Sequence, residues 1–325
     1  MDNRQYAGIT VAGTVIVDKI NEISAYPNCG ELTQIRSIQT AVGGCVPNVA
    51  MDLKRICPWL PVQAMGTVGS DEEATFVKQT LESAGVNTRH LVTLEGQRTS
   101  FTEVMSIPGG QRTFFTYAGA SAEFGSEHMN WENPPRLLHI GYFLLLERVD
   151  NGEGLKILKT AKERGVETSI DLVSENSDRY HMVAPCLPYT DYLIINEVEA
   201  GKLSGISPEP ENLELIARKL QEMGVRKKVI IHQPDRSVCL SEAGFTCVPS
   251  YELPAGFIQG TTGAGDAFCA GALTGIYENW DDKAILEFAS GAAVMSLNAP
   301  DATSGLRTMK EIQSFCDGFP LQKLG

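Results

Sequence analysis

Near its carboxyl end the chain reads Gly260-Thr261-Thr262-Gly263-Ala264-Gly265-Asp266-Ala267-Phe268, one carboxylate among closely spaced glycines, and runs straight into Cys269-Ala270-Gly271-Ala272-Leu273. Glycines on either side of Ala264 let the backbone turn tightly and point several N–H groups into one small space, while the apolar run behind them reads as a buried helix. That combination is an anion cradle at a helix N-terminus. A carboxylate inside a cradle that held only phosphate would be repelled by its occupant, so Asp266 fits better as a base. If it takes the proton of an alcohol while the Gly263, Ala264 and Gly265 amides neutralise charge on a phosphoryl group, both features serve one reaction, phosphoryl transfer from a nucleotide. The structural alternative is a capping turn in which Asp266 is a first-turn acid favoured by the helix dipole. Two familiar nucleotide motifs do not apply. No Gly-x-x-x-x-Gly-Lys-Ser/Thr occurs, so no loop lysine can reach the phosphates, and Phe268 stands where Gly-x-Gly-x-x-Gly needs its third glycine.

Other residues of chemical interest lie earlier. Asp18 sits among Val15, Val17 and Ile20, in a strand-like run where an acid either faces solvent or is aimed at a polar ligand. Gly43 and Gly44 permit close approach of backbone to a ligand, and Asn48 at the following helix start offers a donor and an acceptor; as structure alone, it is a helix cap. Asp171, Asn196 and Glu199 fall at the ends of apolar runs, and in open α/β sheets ligands collect at the carboxyl ends of strands. Asn196 and Glu199, three apart, share one face of a helix start and could orient water around magnesium, or could simply form a reciprocal cap.

Positioning these groups requires repeated strand and helix units. Ala84-Gly85-Val86, Arg164-Gly165-Val166 and Met223-Gly224-Val225 each close a helical segment with a glycine and enter a strand with valine, implying βα units and a largely parallel sheet. Ala7 to Gly13 is a buried strand, and the alternation from Thr14 to Thr40 predicts strands with one wet face. A helix follows to Cys57, stopped by Pro58. Ser70, with Glu73 three residues on, has the spacing of a capping box opening a helix that ends at Gly85. Thr99–Ile107 and Arg112–Tyr117 flank Pro108-Gly109-Gly110-Gln111 as an antiparallel hairpin. Segments of about 14–40 and 98–118 thus predict a small second sheet, a lid that excludes water or a surface for oligomer contacts. Leu137 to Leu146 reads as a central strand leading to a loop at Glu147–Asn151. Tyr192–Ile195 and Val229–Ile231 are further strands, and the last third is helical over 265–278, 282–297 and 309–315.

Bulk properties set limits. The 325 residues carry a net charge of −13 and a pI near 4.9, which argues against an electrostatic grip on nucleic acid or an anionic membrane. The eight scattered cysteines, with no Cys-x-x-Cys, suit reduced core residues of a cytoplasmic protein, and no stretch of about 18 apolar residues spans a bilayer. The five histidines show no metal-ligand spacing.

Taken in order, Gly43-Gly44 with Asn48, Gly66-Thr67-Val68-Gly69-Ser70-Asp71, Asn196-x-x-Glu199 and Thr261–Phe268 resemble the PfkB/ribokinase family of carbohydrate kinases over nearly the whole chain. The resemblance implies a single α/β domain with a doubly wound, mostly parallel sheet, helices on both faces and a small β-sheet lid over a sugar. It implies ATP as phosphoryl donor, Asp266 as base, and the Gly263–Gly265 amides as anion hole. Thr262 and Asn196 join the nucleotide contacts, Asn196 and Glu199 serve Mg2+ through water, and Asp18, Gly43, Gly44 and Asn48 contact the sugar. A monovalent cation such as K+ near the anion hole, and a homodimer through the lid, are further implications. The sequence departs from the pattern at Gly260, where an acidic cation ligand is missing, at Pro234 on the adenine side, and at Gly141-Tyr142, where ribokinase has an acidic sugar contact. Alternatives within the resemblance are a nucleoside kinase, with Phe101, Phe114, Phe115 and Tyr142 able to stack on a base, and a non-catalytic nucleotide or sugar sensor.

Overall fold

A buried apolar strand, β1 (Ile9–Gly13), is followed by two strands of different character, β2 (Ile16–Ile23) and β3 (Ile35–Gly43), and by helix α1 (Cys45–Ile56). In the computed structural model, which describes residues 7–107, 112–299 and 302–324, strand and helix then alternate through β4 (Val62–Val68), α2 (Glu72–Ser83) and β5 (Asn87–Thr93). The rhythm breaks at β6 (Ser100–Ser106) and β7 (Arg112–Tyr117), then resumes with β8 (Leu137–Phe143), α3 (Gly154–Glu163) and β9 (Glu167–Leu172). It continues through β10 (Tyr192–Asn196), α4 (Glu197–Ser204), α5 (Leu213–Glu222) and β11 (Lys228–His232). A hairpin of β12 (Arg236–Ser241) and β13 (Gly244–Pro249) precedes the helices α6 (Ala264–Tyr277), α7 (Asp282–Ser296) and α8 (Met309–Cys316).

The main sheet runs β13-β12-β11-β10-β9-β8-β1-β4-β5, parallel from β11 to β5 and antiparallel only at the β11–β12–β13 edge. The three joints expected from their glycines behave alike: Gly85, Gly165 and Gly224 all take positive φ (82°, 75°, 125°), a conformation in which a side chain would be strained, and each hands the chain to a parallel strand. Because successive strand residues face opposite sides, the apolar runs split between two cores. Ile9, Val11, Ile194 and Ile230 pack with α1, α2, α6 and α7, whereas Ala12, Leu193, Ile195 and Ile231 pack with α3, α4 and α5. Helices therefore cover both faces, a doubly wound α/β architecture.

The second sheet runs β3-β2-β6-β7, with β2 and β6 parallel at its centre and antiparallel partners outside. Its edges are more open than the alternation predicted: residues 35–40 of β3 and all six residues of β7 are exposed, since an edge strand of a sheet standing clear of the body has neither face covered. The expected turn at 108–111 lies outside the described residues. Two local expectations are corrected. The cap of α2 is Asp71 rather than Ser70; its carboxylate accepts from the Ala74 amide (3.0 Å) and also from the Thr99 amide and hydroxyl, tying α2 to the start of β6. The segment expected as a loop at Glu147–Asn151 enters a π-helical turn, Val149–Glu153, that leads into α3.

Candidate active site

Four neighbouring parallel strands deliver polar side chains at their carboxyl ends: Tyr142 from β8, Asp171 from β9, Asn196 from β10 and His232 from β11. They lie beside the point where the strand order reverses, β1 being flanked by β4 on one side and β8 on the other, which is where open α/β sheets form crevices. The N-terminus of α6 arrives over them, and together they line a cavity of about 180 Å³.

Asp266 points into that cavity from the first turn of α6 and is 6% exposed. Gly263 makes this possible. It holds φ 82° at the N-cap, and a Cβ there would strike the backbone of Ala302, so the turn admits glycine alone. The Ala264 amide donates within the turn to the Thr261 carbonyl (3.4 Å) and the Ala267 amide to the Gly263 carbonyl (2.8 Å), which leaves the Gly265 and Asp266 amides at the helix mouth where backbone donors lack helical partners. The Asp266 carboxylate accepts from Asn48 Nδ2 (2.9 Å), and the Tyr142 hydroxyl is shared between its two oxygens (2.9 Å each). Burial, and secondarily the negative charge of Asp171, push its pKa up to about 7, while the Asn48 and Tyr142 hydrogen bonds pull it down. A carboxyl group titrating near neutrality is suited to exchange a proton with an alcohol.

Asn48 is not a cap. Gly44 caps α1, and Asn48 lies within the helix, 4% exposed, with its side chain turned across to Asp266. Its Oδ1 is buried without a hydrogen-bond partner, and an orphaned buried acceptor marks a place for an incoming donor. Tyr142, which the sequence marked as a departure from the family pattern and as a ring able to stack on a base, instead meets Asp266. Its φ of 61° is left-handed, uncommon for a non-glycine residue, and its amide is held by Asp171 Oδ1 (2.5 Å). Leu144, two residues on, is also left-handed (φ 76°), its amide held by Asp150 Oδ1 (2.8 Å). Two buried carboxylates thus fix the turn that aims the phenol, and strain of this kind gathers at functional sites.

Asn196 and Glu199 form the reciprocal cap of α4: Asn196 Oδ1 accepts from the Glu199 amide (2.9 Å) and Glu199 Oε2 from the Asn196 amide (3.1 Å). Ser174, which no sequence signal picked out, donates to Glu199 Oε1 (2.8 Å) and accepts from Asn196 Nδ2. Burial pushes Glu199 up to about 8. This cluster of oxygen donors on the cavity wall is the donor set a hard, hydrated Mg2+ uses.

Asp18 is half-buried rather than solvent-facing. Its carboxylate abuts Gly43, where any Cβ would strike it, and burial raises its pKa to about 6. Thr262 is exposed beside the glycine turn, where its hydroxyl accepts from Arg112 of lid strand β7 (3.0 Å), a cation that sequence reasoning missed. Phe101 packs on Tyr117 beneath Lys19 and Arg98, while Phe114 and Phe115 are about 60% exposed. On the far side of the glycine turn a second, largely apolar cavity of about 580 Å³ is walled by Tyr251, Leu253, Ile258, Val294, Leu297 and Phe268. Asn196, His232 and Gly265 line both cavities. Pro234 is on this wall, and His232, its ring tilted 32° against Phe268 with centroids 4.5 Å apart, is held neutral by burial, its pKa lowered to about 4. An apolar slot of this size beside a helix N-terminus fits a nucleotide base with its phosphates at the glycine turn. Among the described residues no helix is long and apolar enough to cross a membrane.

A family profile described as "pfkB family carbohydrate kinase" matches residues 11–309. The chain is 24% identical over 307 residues to ribokinase of Arabidopsis thaliana, covering 94% of this chain and 79% of that one. It is 26% identical over 278 residues to adenosine kinase of Saccharomyces cerevisiae, covering 82% and 81%. The structure of Arabidopsis thaliana ribokinase complexed with ribose and ATP superimposes with a TM-score of 0.83 at 22% identity, covering 96% of this chain and 99% of that one.

Proposed function

The chain belongs to the pfkB family of carbohydrate kinases, and from that membership together with the site geometry we propose that it transfers the γ-phosphoryl group of ATP to a hydroxymethyl group of a monosaccharide or related sugar. The observation that carries this reading is the placement of Asp266, a buried carboxylate at a helix mouth with a small polar cavity on one side and a large apolar one on the other. ATP, when bound, supplies the phosphoryl group, and Mg2+ neutralises its charge. The protein's own part is positioning and electrostatics, as expected for direct in-line transfer without a covalent intermediate. Asp266 removes the alcohol proton. The orphaned Asn48 Oδ1, the Asp18 carboxylate and the Gly43–Gly44 backbone hold the sugar, whose hydroxyl displaces the Tyr142 phenol from the base. The Gly263–Gly265 turn with Thr262 cradles the phosphates, and Asn196, Glu199 and Ser174 hold Mg2+ through water. A potassium ion would have to bind without a carboxylate at Gly260.

We place a second copy of the chain against the open lid edges, β3 and β7, and the enzyme in the cytoplasm, where its eight unpaired thiols stay reduced. A nucleoside acceptor is the second reading, favoured by the exposed Phe114 and Phe115, which offer faces for a base.

Asp266→Asn tests the role of the base. Loss of general-base catalysis predicts a fall in kcat of about 10²–10⁴-fold with little change in KM. Activity within about tenfold of wild type, only about 1.4 kcal/mol of barrier, on every accepted sugar refutes it. Thermal melting with ribose, fructose, 2-keto-3-deoxygluconate, adenosine or inosine, each beside a nonhydrolysable nucleotide, identifies the acceptor class, because a true ligand stabilises by mass action.

A further inference from the structure

Near Asp266 four metal-ligating side chains come together from four elements. Cys45 opens α1, His139 lies within β8, Asp171 stands near the end of β9 and Cys269 lies in the second turn of α6; all are buried, none more than 7% exposed. One ligand atom from each of Cys45, His139 and Asp171 lies within 4.8 Å of the other two. His139 Nε2 is 3.4 Å from Asp171 Oδ2 and 3.5 Å from Cys269 Sγ. Bonds of about 2.0–2.3 Å in a tetrahedral site place neighbouring ligand atoms roughly 3.3–3.8 Å apart. The His139–Asp171 and His139–Cys269 edges of such a tetrahedron therefore already have that length, and Cys45 joins His139 and Asp171 at separations of no more than 4.8 Å.

The surroundings match as well. His139 Nδ1 is 3.1 Å from Ser169 Oγ, a partner that fixes the ring and presents Nε2, the outer contact typical of metal-bound histidine. Asp171 uses Oδ1 for the Tyr142 amide, leaving Oδ2 for one-oxygen ligation. Asp171 and Cys269 line the polar cavity, which gives an ion a path from solvent. Cysteines alone could fill this space as small apolar groups, and Asp171 Oδ1 serves the Tyr142 amide, but neither accounts for a buried histidine whose Nε2 faces both Asp171 Oδ2 and Cys269 Sγ.

We propose that Cys45, His139, Asp171 and Cys269 form a binding site for one thiophilic divalent cation, Zn2+ by its donor set, separate from the oxygen-lined Mg2+ position at Asn196 and Glu199. Thiolate and imidazole select borderline-soft ions, whereas Mg2+ takes carboxylate, carbonyl and water. As the two sulfur–metal bonds form, both thiols release their protons to solvent.

The test uses the full chain, reduced and stripped with chelator, without nucleotide or sugar, so that its outcome is independent of the kinase reading. Titration with Co2+ should give one equivalent bound with intense thiolate-to-cobalt absorption that Zn2+ abolishes. Cys45→Ser and His139→Gln should each weaken binding by about 100-fold. The double variant Cys29→Ser/Cys247→Ser, which removes the two exposed thiols, should bind as wild type does. X-ray absorption of the zinc-loaded wild-type chain needs no variant and should show two sulfur neighbours. A nitrogen-and-oxygen shell alone, absence of the cobalt bands, or loss of binding in the Cys29→Ser/Cys247→Ser chain overturns the proposal.

Discussion

Replacing Tyr142 by phenylalanine removes one hydroxyl from the cavity and leaves the ring and the left-handed turn in place. That hydroxyl sits 2.9 Å from both oxygens of Asp266 and lowers its pKa by stabilising the charged carboxylate. A hydrogen bond to a charged group contributes about 1.5–3 kcal/mol, and one pKa unit is about 1.4 kcal/mol, so its loss should raise Asp266 by about one to two units. Starting from about 7, the variant titrates near 8 to 9. The ionised fraction at pH 7 then falls from about one half to about one tenth or one hundredth, and kcat/KM falls by about 5–50-fold. Raising the pH should restore it, because the base itself is intact. The phenol does not confuse the wild-type profile, since burial, with the nearby negative charge of Asp266, holds its own pKa well above 10 and keeps it a neutral donor. Measuring kcat/KM for the acceptor sugar by ADP release from about pH 6 to about pH 10 reads the free-enzyme titration directly. An acid limb at the same midpoint in both proteins, or a loss that persists at high pH, refutes the argument that Tyr142 tunes Asp266.

Glu199→Gln separates a cap from a metal position: the amide oxygen still accepts from the Asn196 N–H, but the amide nitrogen then faces the Asn196 Nδ2 donor, so stability should fall by about 1–3 kcal/mol, while the Mg2+ concentration for half-maximal activity rises about tenfold or more. Unchanged Mg2+ dependence would leave Glu199 with a capping role only. Phe115→Asp puts a charge on the open lid edge and should convert a wild-type dimer to monomer in sedimentation velocity without unfolding it; a wild-type monomer, or a variant that stays dimeric, removes the lid as the interface.

Short-range rules carried much of the chain. The joints at Gly85, Gly165 and Gly224, the apolar strands and the Asn196–Glu199 pair were legible because each depends on residues within one turn of one another. Asp266 was legible for the same reason: Gly263 makes the turn and the helix behind it is mostly apolar. The cap that structure alone suggested for Asn48 fails because spacing gives a helix start only to within a few residues, and one position decides whether a side chain serves its own backbone or crosses to another element.

What the tertiary structure alone decided was which distant groups meet. Tyr142 reaches Asp266 across 124 residues of sequence and Asn48 across 218, distances over which no motif has a period. The five histidines showed no metal spacing, yet His139 lies among Cys45, Asp171 and Cys269, because parallel strands and the helices crossing them bring together residues from separate βα units. The wall of the apolar cavity, drawn from Phe268 and from 251–258 and 290–297, is likewise a product of packing. A sequence fixes what each segment does to its own backbone. Which charge lies beside which, and so what Asp266 can do near neutral pH, is set by burial, and burial exists only once the layers have closed.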